Sequence, residues 1–165
     1  MVIGISGAGK TTLSRRLAAA LSLPLIELDL FHWQPGWQGL PSEEWRDRVR
    51  TLVDAEEWVM DGNYSGTFDI RMPRAQAIVW LDYEPLRCIR RVAVRTVGNW
   101  GRPRAGLPEG CPERFDPEFL RYIWGFRKNH RPKLERALAD FGGNARLFRL
   151  TRDSEWERLV ASLTA

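Results

Sequence analysis

Lysine is almost missing from this 165-residue chain. Lys10, Lys128 and Lys133 are the whole set, so 22 of the 25 basic residues are arginine. Cysteine is as scarce, with Cys88 and Cys111 alone. Two cysteines 23 positions apart, without neighbouring histidine or cysteine, exclude a disulfide framework and a zinc site of ordinary ligand spacing. A reducing, cytoplasmic setting is therefore expected. No apolar run approaches the roughly 20 residues of a membrane span, and no basic-then-apolar leader opens the chain, so no membrane association is expected. Repeats, low-complexity tracts and linkers are absent too. With 44% hydrophobic and 28% charged residues, the chain reads as one globular domain over residues 1–165.

What is present is a localised positive charge. Between Arg87 and Arg136 lie 13 basic and 5 acidic residues, a local +8; the remainder carries 12 basic and 16 acidic residues, a local −4. Such a block implies an anionic partner, whether nucleotide phosphates, nucleic acid or a membrane surface. Arginine excess can also follow from coding bias alone.

Continuous apolar runs alternate with helical periodicity. Strands are expected over Met1–Ile5, Pro24–Leu30, Trp58–Asp61, Ala77–Leu81 and Ala145–Leu150. Helices are expected from Lys10 to Leu21, Ser42 to Ala55, Pro85 to about Val97, and Pro117 towards Asp140 with an interruption at Pro132. Asp116 is a candidate N-cap and Ser154 with Glu157 a candidate capping box. Strand–helix alternation with non-alternating strands indicates a three-layer α/β fold: a five-stranded parallel sheet with helices on both faces. Gly98–Phe115, with four glycines and three prolines, reads as a mobile lid rich in arginine.

Gly4-Ile5-Ser6-Gly7-Ala8-Gly9-Lys10-Thr11 matches G-x-x-x-x-G-K-S/T, between a strand and a helix as its mechanics require. In such a P-loop NTPase fold, curled backbone amides and a helix N-terminus face phosphate oxygens. Gly4, Ser6, Gly7, Ala8, Gly9, Lys10, Thr11 and Thr12 are thus the candidate ATP-binding residues. Lys10 would bridge β- and γ-phosphates and Thr11 would ligate Mg²⁺. ATP and Mg²⁺ are the cofactors this motif calls for. No N-K-x-D tetrapeptide occurs, which argues against a GTPase. The size and the arginine-rich segment fit a small-molecule kinase, and the chain resembles the adenylate kinase and shikimate kinase group. In that group a lid closes over ATP and brings arginines to the transferring phosphoryl group.

Asp61 ends the third strand and suits a magnesium-holding carboxylate. Asp29, at the end of the second, suits binding or deprotonating an acceptor hydroxyl. Asp82 follows the fourth strand and reads as a helix cap. His32 reads as a packed histidine. Trp33, Trp37, Trp45 and Trp58 are either core or an aromatic wall for a ring-containing acceptor. Arg91, Arg102 and Arg127 are the candidate catalytic arginines, with Arg87, Arg95, Arg104 and Arg114 nearby.

Three segments carry a narrower resemblance: Leu28–Trp37 (LDLFHWQPGW), Asp61–Arg71 (DGNYSGTFDIR) and Gly110–Arg114 (GCPER). They resemble P-loop proteins named DNA topology modulation proteins, which are related to adenylate kinases. The resemblance implies ATP binding and a kinase-like fold more firmly than a substrate. Where adenylate kinases have a G-F/Y-P-R segment contacting the monophosphate, this chain has Asp61-Gly62-Asn63-Tyr64. Asn63 and Tyr64 are therefore candidate acceptor contacts, with Arg71 as the replacement cation.

The expected function is transfer of the γ-phosphoryl of ATP·Mg²⁺ to a small metabolite or nucleotide, by a monomer or homodimer. Two alternatives stay open: an ATP-dependent nucleic-acid-associated protein, using Trp100, Tyr122, Trp124 and Phe126 among the basic residues, and a non-catalytic ATP-binding switch. Leu120, Ile123 and Trp124 are expected on the buried face of one helix.

Overall fold

The computed structural model describes residues 1–103 and 106–164. In chain order the elements are β1 (Val2–Gly4), α1 (Lys10–Leu21), β2 (Leu25–Glu27), α2 (Leu28–His32), β3 (Trp33–Gln34), β4 (Gln38–Gly39), α3 (Ser42–Val53) and β5 (Val59–Asp61). There follow α4 (Phe68–Arg71), β6 (Ala77–Leu81), α5 (Pro85–Gly98), α6 (Pro117–Asn129), α7 (Arg131–Phe141), β7 (Arg146–Leu150) and α8 (Trp156–Thr164). Five strands form one parallel sheet in the order β2-β5-β1-β6-β7. β3 and β4 form a separate antiparallel hairpin.

The strands read as continuous apolar runs because both faces of the sheet are covered. Val2, Val59, Val79 and Leu81 pack with α1, α5, α6 and α8. Their immediate neighbours Ile3, Met60, Ile78 and Trp80 point the other way, onto α3, α4 and α7. Period-two alternation thus distributes one run between two cores. In α3, Trp45, Val49 and Val53 recur at helical spacing and are buried; burial of each contributes roughly 1.5–3 kcal/mol.

The edge strand β7 departs from the apolar pattern. Its Arg149 guanidinium lies 4.9 Å from the Trp80 ring and donates from Nε to buried Asp82 at 2.9 Å. Asp82 is therefore an ion-pair partner rather than a helix cap, and Glu84 stands at the N-cap of α5.

Several expectations change. The second strand stops at Glu27, and Leu28–His32 turn into a short helix. Glu27 is buried against the Arg15 fork, and Leu28 is buried in the core below. Next to this helix, Trp33–Gln34 and Gln38–Gly39 pair as a short antiparallel hairpin. Ser154–Glu157 is not a capping box; the Glu155 carboxylate accepts from the amides of Thr151 and Arg152 instead. Trp124 is 66% exposed, so the buried face of α6 is Ile123 and Phe126 without it. Asp116 does cap α6, accepting from the Phe119 amide at 2.9 Å, and the interruption before Pro132 falls at His130.

Candidate active site

The C-terminal edges of the parallel strands open onto a cleft of about 1050 Å³. In doubly wound sheets this edge is where ligands bind. The loop after β1 forms its floor. Gly4 has φ 137°, and a Cβ there would lie 2.3 Å from the Leu81 carbonyl oxygen, so only glycine lets β1 approach β6 and then turn. Gly7, at φ 86°, would place a Cβ 2.6 Å from the Cys88 carbonyl oxygen on α5.

Ser6, Gly7, Gly9, Lys10, Thr11 and Thr12 line the cleft. Gly4 and Ala8, also expected to contact the nucleotide, do not. The Gly4 amide donates to Asn63 Oδ1 at 2.8 Å. Ala8 is buried, its amide donates to Ile5, and its carbonyl accepts from Arg91. Both shape the loop rather than line it. Lys10 Nζ donates to the Ile5 carbonyl at 3.2 Å, which folds the ammonium back over the loop.

Thr11 and Asp61, both expected to hold magnesium, are brought together. Thr11 Oγ1 donates to Asp61 Oδ2 at 2.6 Å. Asp61 closes β5, which register pairs with β1 through Val2. Its second oxygen, Oδ1, is buried without a hydrogen-bond partner among the described residues. An orphaned carboxylate oxygen beside a threonine hydroxyl and a phosphate-type loop fits a hard, oxygen-seeking cation such as Mg²⁺. Burial pushes the Asp61 pKa up, while the Lys10 charge and the Thr11 hydrogen bond draw it back down; Asp29 and Glu27 add to the upward push.

That direction has a stability consequence. A carboxyl with a folded pKa above its unfolded value adds stability at pH below the unfolded value and loses it as pH rises through the folded one. At neutral pH Asp61 therefore weakens the fold. Asp61→Asn is expected to raise Tm, measured without magnesium, by about 2–4 °C. In the kinase reading proposed below, the same variant should weaken magnesium-dependent activity about 10–100-fold. A lowered Tm would contradict the burial argument.

Asp29 lies in the first turn of α2 and lines the cleft. Its Oδ1 accepts from Tyr64 Oη at 2.6 Å. Burial, reinforced by Asp29, pushes the Tyr64 hydroxyl far above its ordinary pKa, so it remains a donor. Tyr64 and Asn63 both line the cleft. Arg71 does not, and the expectation that it supplies a cation to the acceptor is corrected. It is fully buried and donates to Thr67 Oγ1 at 2.9 Å, the Gly62 carbonyl at 3.0 Å, the Tyr64 carbonyl at 3.1 Å, and the Asn63 carbonyl. It braces the loop that presents Asn63 and Tyr64.

His32 is packed edge-on against Trp33, Trp45 and Tyr64 at centroid distances of 4.7–4.9 Å. Burial lowers its pKa against the pull of Asp29, consistent with a neutral packed ring. Trp45 is core, whereas Trp33 and Trp37 line the cleft.

Of the three arginines expected to act in catalysis, one is at the cleft. Arg91 lines it, with NH1 3.1 Å from the Ala8 carbonyl, and it pairs with Asp153. Arg127 pairs with Glu84 at 2.8 Å and Arg102 is exposed; neither lines the cleft. Arg104 lies outside the described residues. Arg95 and Arg114 line the cleft, Arg95 holding Glu113 at 2.9 Å.

Sequence reasoning missed Asp153. It accepts from Tyr83 Oη at 2.8 Å and pairs with Arg87 and Arg91, while Trp156 Nε1 donates to Tyr83 Oη at 2.8 Å. Its place just beyond the C-terminal end of β7 was the available signal.

The segment expected as a mobile lid is fastened to the β3–β4 hairpin. The Gly36 amide donates to the Gly110 carbonyl at 2.8 Å. Trp37 Nε1 donates to the Pro112 carbonyl at 3.0 Å, and Cys111 Sγ to the Gln34 carbonyl at 3.1 Å. Leu107 and Cys111 are buried. Among the described residues, no helix is long and apolar enough to cross a membrane, and no group of three or more His, Cys, Asp and Glu is clustered for a metal.

No family model matches the chain. A shikimate kinase of Corynebacterium diphtheriae is 31% identical over a 109-residue alignment covering 57% of this chain and 62% of that protein. Among solved structures, a shikimate kinase from Bacteroides thetaiotaomicron superposes with TM-score 0.54 at 23% identity, over 98% of this chain and 93% of that one. A gluconokinase from Sinorhizobium meliloti 1021 does so with TM-score 0.54 at 20% identity and the same coverage. The fold is that of the P-loop kinases.

Proposed function

We propose that the chain is an ATP·Mg²⁺-dependent kinase that phosphorylates a hydroxyl of a small acceptor. One observation carries this reading: a single cleft brings together the P-loop lysine, the Thr11–Asp61 pair and the Asp29–Tyr64 pair. The kinase fold and the shikimate kinase relative support it.

The P-loop amides and Lys10 would hold phosphate oxygens, and Thr11 with Asp61 would hold the magnesium. Bound there, magnesium neutralises charge on the phosphates. The acceptor oxygen forms a bond to the γ-phosphorus as the bond to the β-bridging oxygen breaks and ADP leaves. The hydroxyl proton passes to the Asp29 carboxylate, which Tyr64 orients. Arg91 and Arg114 face developing negative charge on the phosphoryl oxygens, where planar guanidinium forks fit well.

The test is ADP formation with a panel of small alcohols. Expected is stimulation by one acceptor, lost on chelating magnesium with EDTA. Activity indifferent to EDTA would overturn the magnesium assignment. ATP binding without turnover under all conditions would favour the switch.

A second reading, ATP-dependent action on DNA, follows from the resemblance to topology modulation proteins. Exposed Trp124 favours it, because exposed Arg121 and Lys128 lie three and four positions away on the same face of α6. Stimulation by DNA alone, with binding that weakens steeply as salt rises, would establish it.

A further inference from the structure

The acceptor half of the cleft has a composition that selects among alcohols. Its wall, from α2 through the hairpin to the loop after β5, supplies Asp29, Asp61, Trp33, Trp37 and Tyr64 but neither lysine nor arginine. Two cations lie close by in the fold and both are turned away. Arg71 donates into backbone carbonyls. Arg15 forks onto Glu27, from Nε at 2.6 Å and NH2 at 3.1 Å, and does not line the cleft. The lining cations sit instead on the P-loop (Lys10), on α5 (Arg91, paired with Asp153, and Arg95, paired with Glu113) and on the segment after it (Arg114).

We infer that the acceptor is an uncharged, ring-bearing alcohol seated against Trp33 and Trp37 with its reactive hydroxyl at Asp29; the inference rests on the kinase reading above. A carboxylate or phosphate on the acceptor would lie beside Asp29 with no cation from this wall to offset it. Like-charge juxtaposition in a closed site strongly disfavours binding. A flat neutral ring meets the opposite situation. Trp33 and Trp37 stand 5.5 Å apart at 72°, a corner with an apolar face on each side. The Trp37 ring is held by its bond to the Pro112 carbonyl, and Trp33 is backed by the His32 ring. Rigid indoles offer contact area at low entropic cost and stack on planar or cyclic groups. Tyr64 and Asp29 then fix which hydroxyl reacts.

The experiment compares initial rates of ADP formation with two sets of acceptors. One contains neutral nucleosides and myo-inositol. The other contains shikimate, gluconate and nucleoside monophosphates. A neutral ring alcohol is expected to give the highest kcat/KM, at least about 10²-fold above the best anion. Trp33→Ala and Trp37→Ala should each raise KM for that alcohol about 5–100-fold, with KM for ATP little changed, and Trp33→Phe should recover most of the loss. An anionic acceptor that matches or exceeds the neutral ones overturns the inference and leaves the kinase reading standing. If neither set raises ADP formation above the rate without acceptor, the kinase reading fails and the inference falls with it.

Discussion

Lys10→Ala is expected to lower ATP-dependent turnover by about 10²–10³-fold, while circular dichroism and Tm stay close to those of the parent. The two halves of this expectation have separate causes. The P-loop backbone is shaped largely by contacts that do not involve the lysine charge: the Gly4 amide on Asn63, the Ala8 carbonyl on Arg91, and the close passage of Gly7 over Cys88; the Ile5 carbonyl that Lys10 contacts keeps the Ala8 amide when the lysine is removed. The lysine side chain is only half-buried, and substitutions away from the core usually change stability by less than about 0.5 kcal/mol. In the proposed reading its ammonium, by contrast, is the point charge that meets phosphate oxygens in the transition state, where fixed charges act in a poorly solvated site. Unchanged turnover in this variant would remove the P-loop from the mechanism. Lost turnover accompanied by unfolding would leave the role of the charge unsupported, and Lys10→Met, which keeps the side-chain length, then separates the two.

Arg71→Ala is expected to be the most damaging single change to the fold, costing about 3–5 kcal/mol. Burial presses the guanidinium down to about 9, so it stays charged at neutral pH, and four acceptors surround it. Removing it strands the carbonyls of Gly62 and Asn63, while the Tyr64 carbonyl keeps the Thr67 amide and hydroxyl, and it opens a cavity beside Phe68, whose ring centroid lies 5.1 Å from the guanidinium carbon. A Tm drop of about 10 °C or more follows. Arg71→Lys keeps the charge without the fork and should recover only part of the loss. A Tm within about 2 °C of the parent would show that the loop holds its shape by other means. Because the loop carries Asn63 and Tyr64, surviving protein should lose acceptor affinity before ATP affinity.

The different fates of Lys10 and Arg71 explain how much of the site was legible in the sequence. The P-loop is local: strand, glycines, lysine and helix follow within about ten positions, and their meaning depends on nothing distant. The same holds for the Asp116 cap and for β6, whose apolar run from Ala77 to Leu81 was read with both bounds as observed. Arginines are different. Whether one faces a ligand or a carbonyl depends on which carboxylate or backbone the fold brings to it, and those partners are remote. Arg127 finds Glu84, 43 positions earlier, and Arg91 finds Asp153, 62 positions later. Arg71 finds its partners 4 to 9 positions away, but only after an irregular loop has closed. The short helix α2 was hidden too. LDL reads as a continuation of the strand, but the backbone turns into a helix at Leu28.

The hairpin and the segment from Leu107 to Pro112 also bear on how the molecule opens. They lie about 75 positions apart in sequence and are joined by three hydrogen bonds. Neither has a core of its own large enough to order it alone. Local unfolding in such a case proceeds by contiguous cooperative units, and here the unit is assembled from two distant stretches of chain. In native-state hydrogen exchange the amide of Gly36, which donates to Gly110, should therefore lose protection together with the amide of Cys111, which donates to the Pro108 carbonyl, at one common free energy below that of the β1–β6 pair.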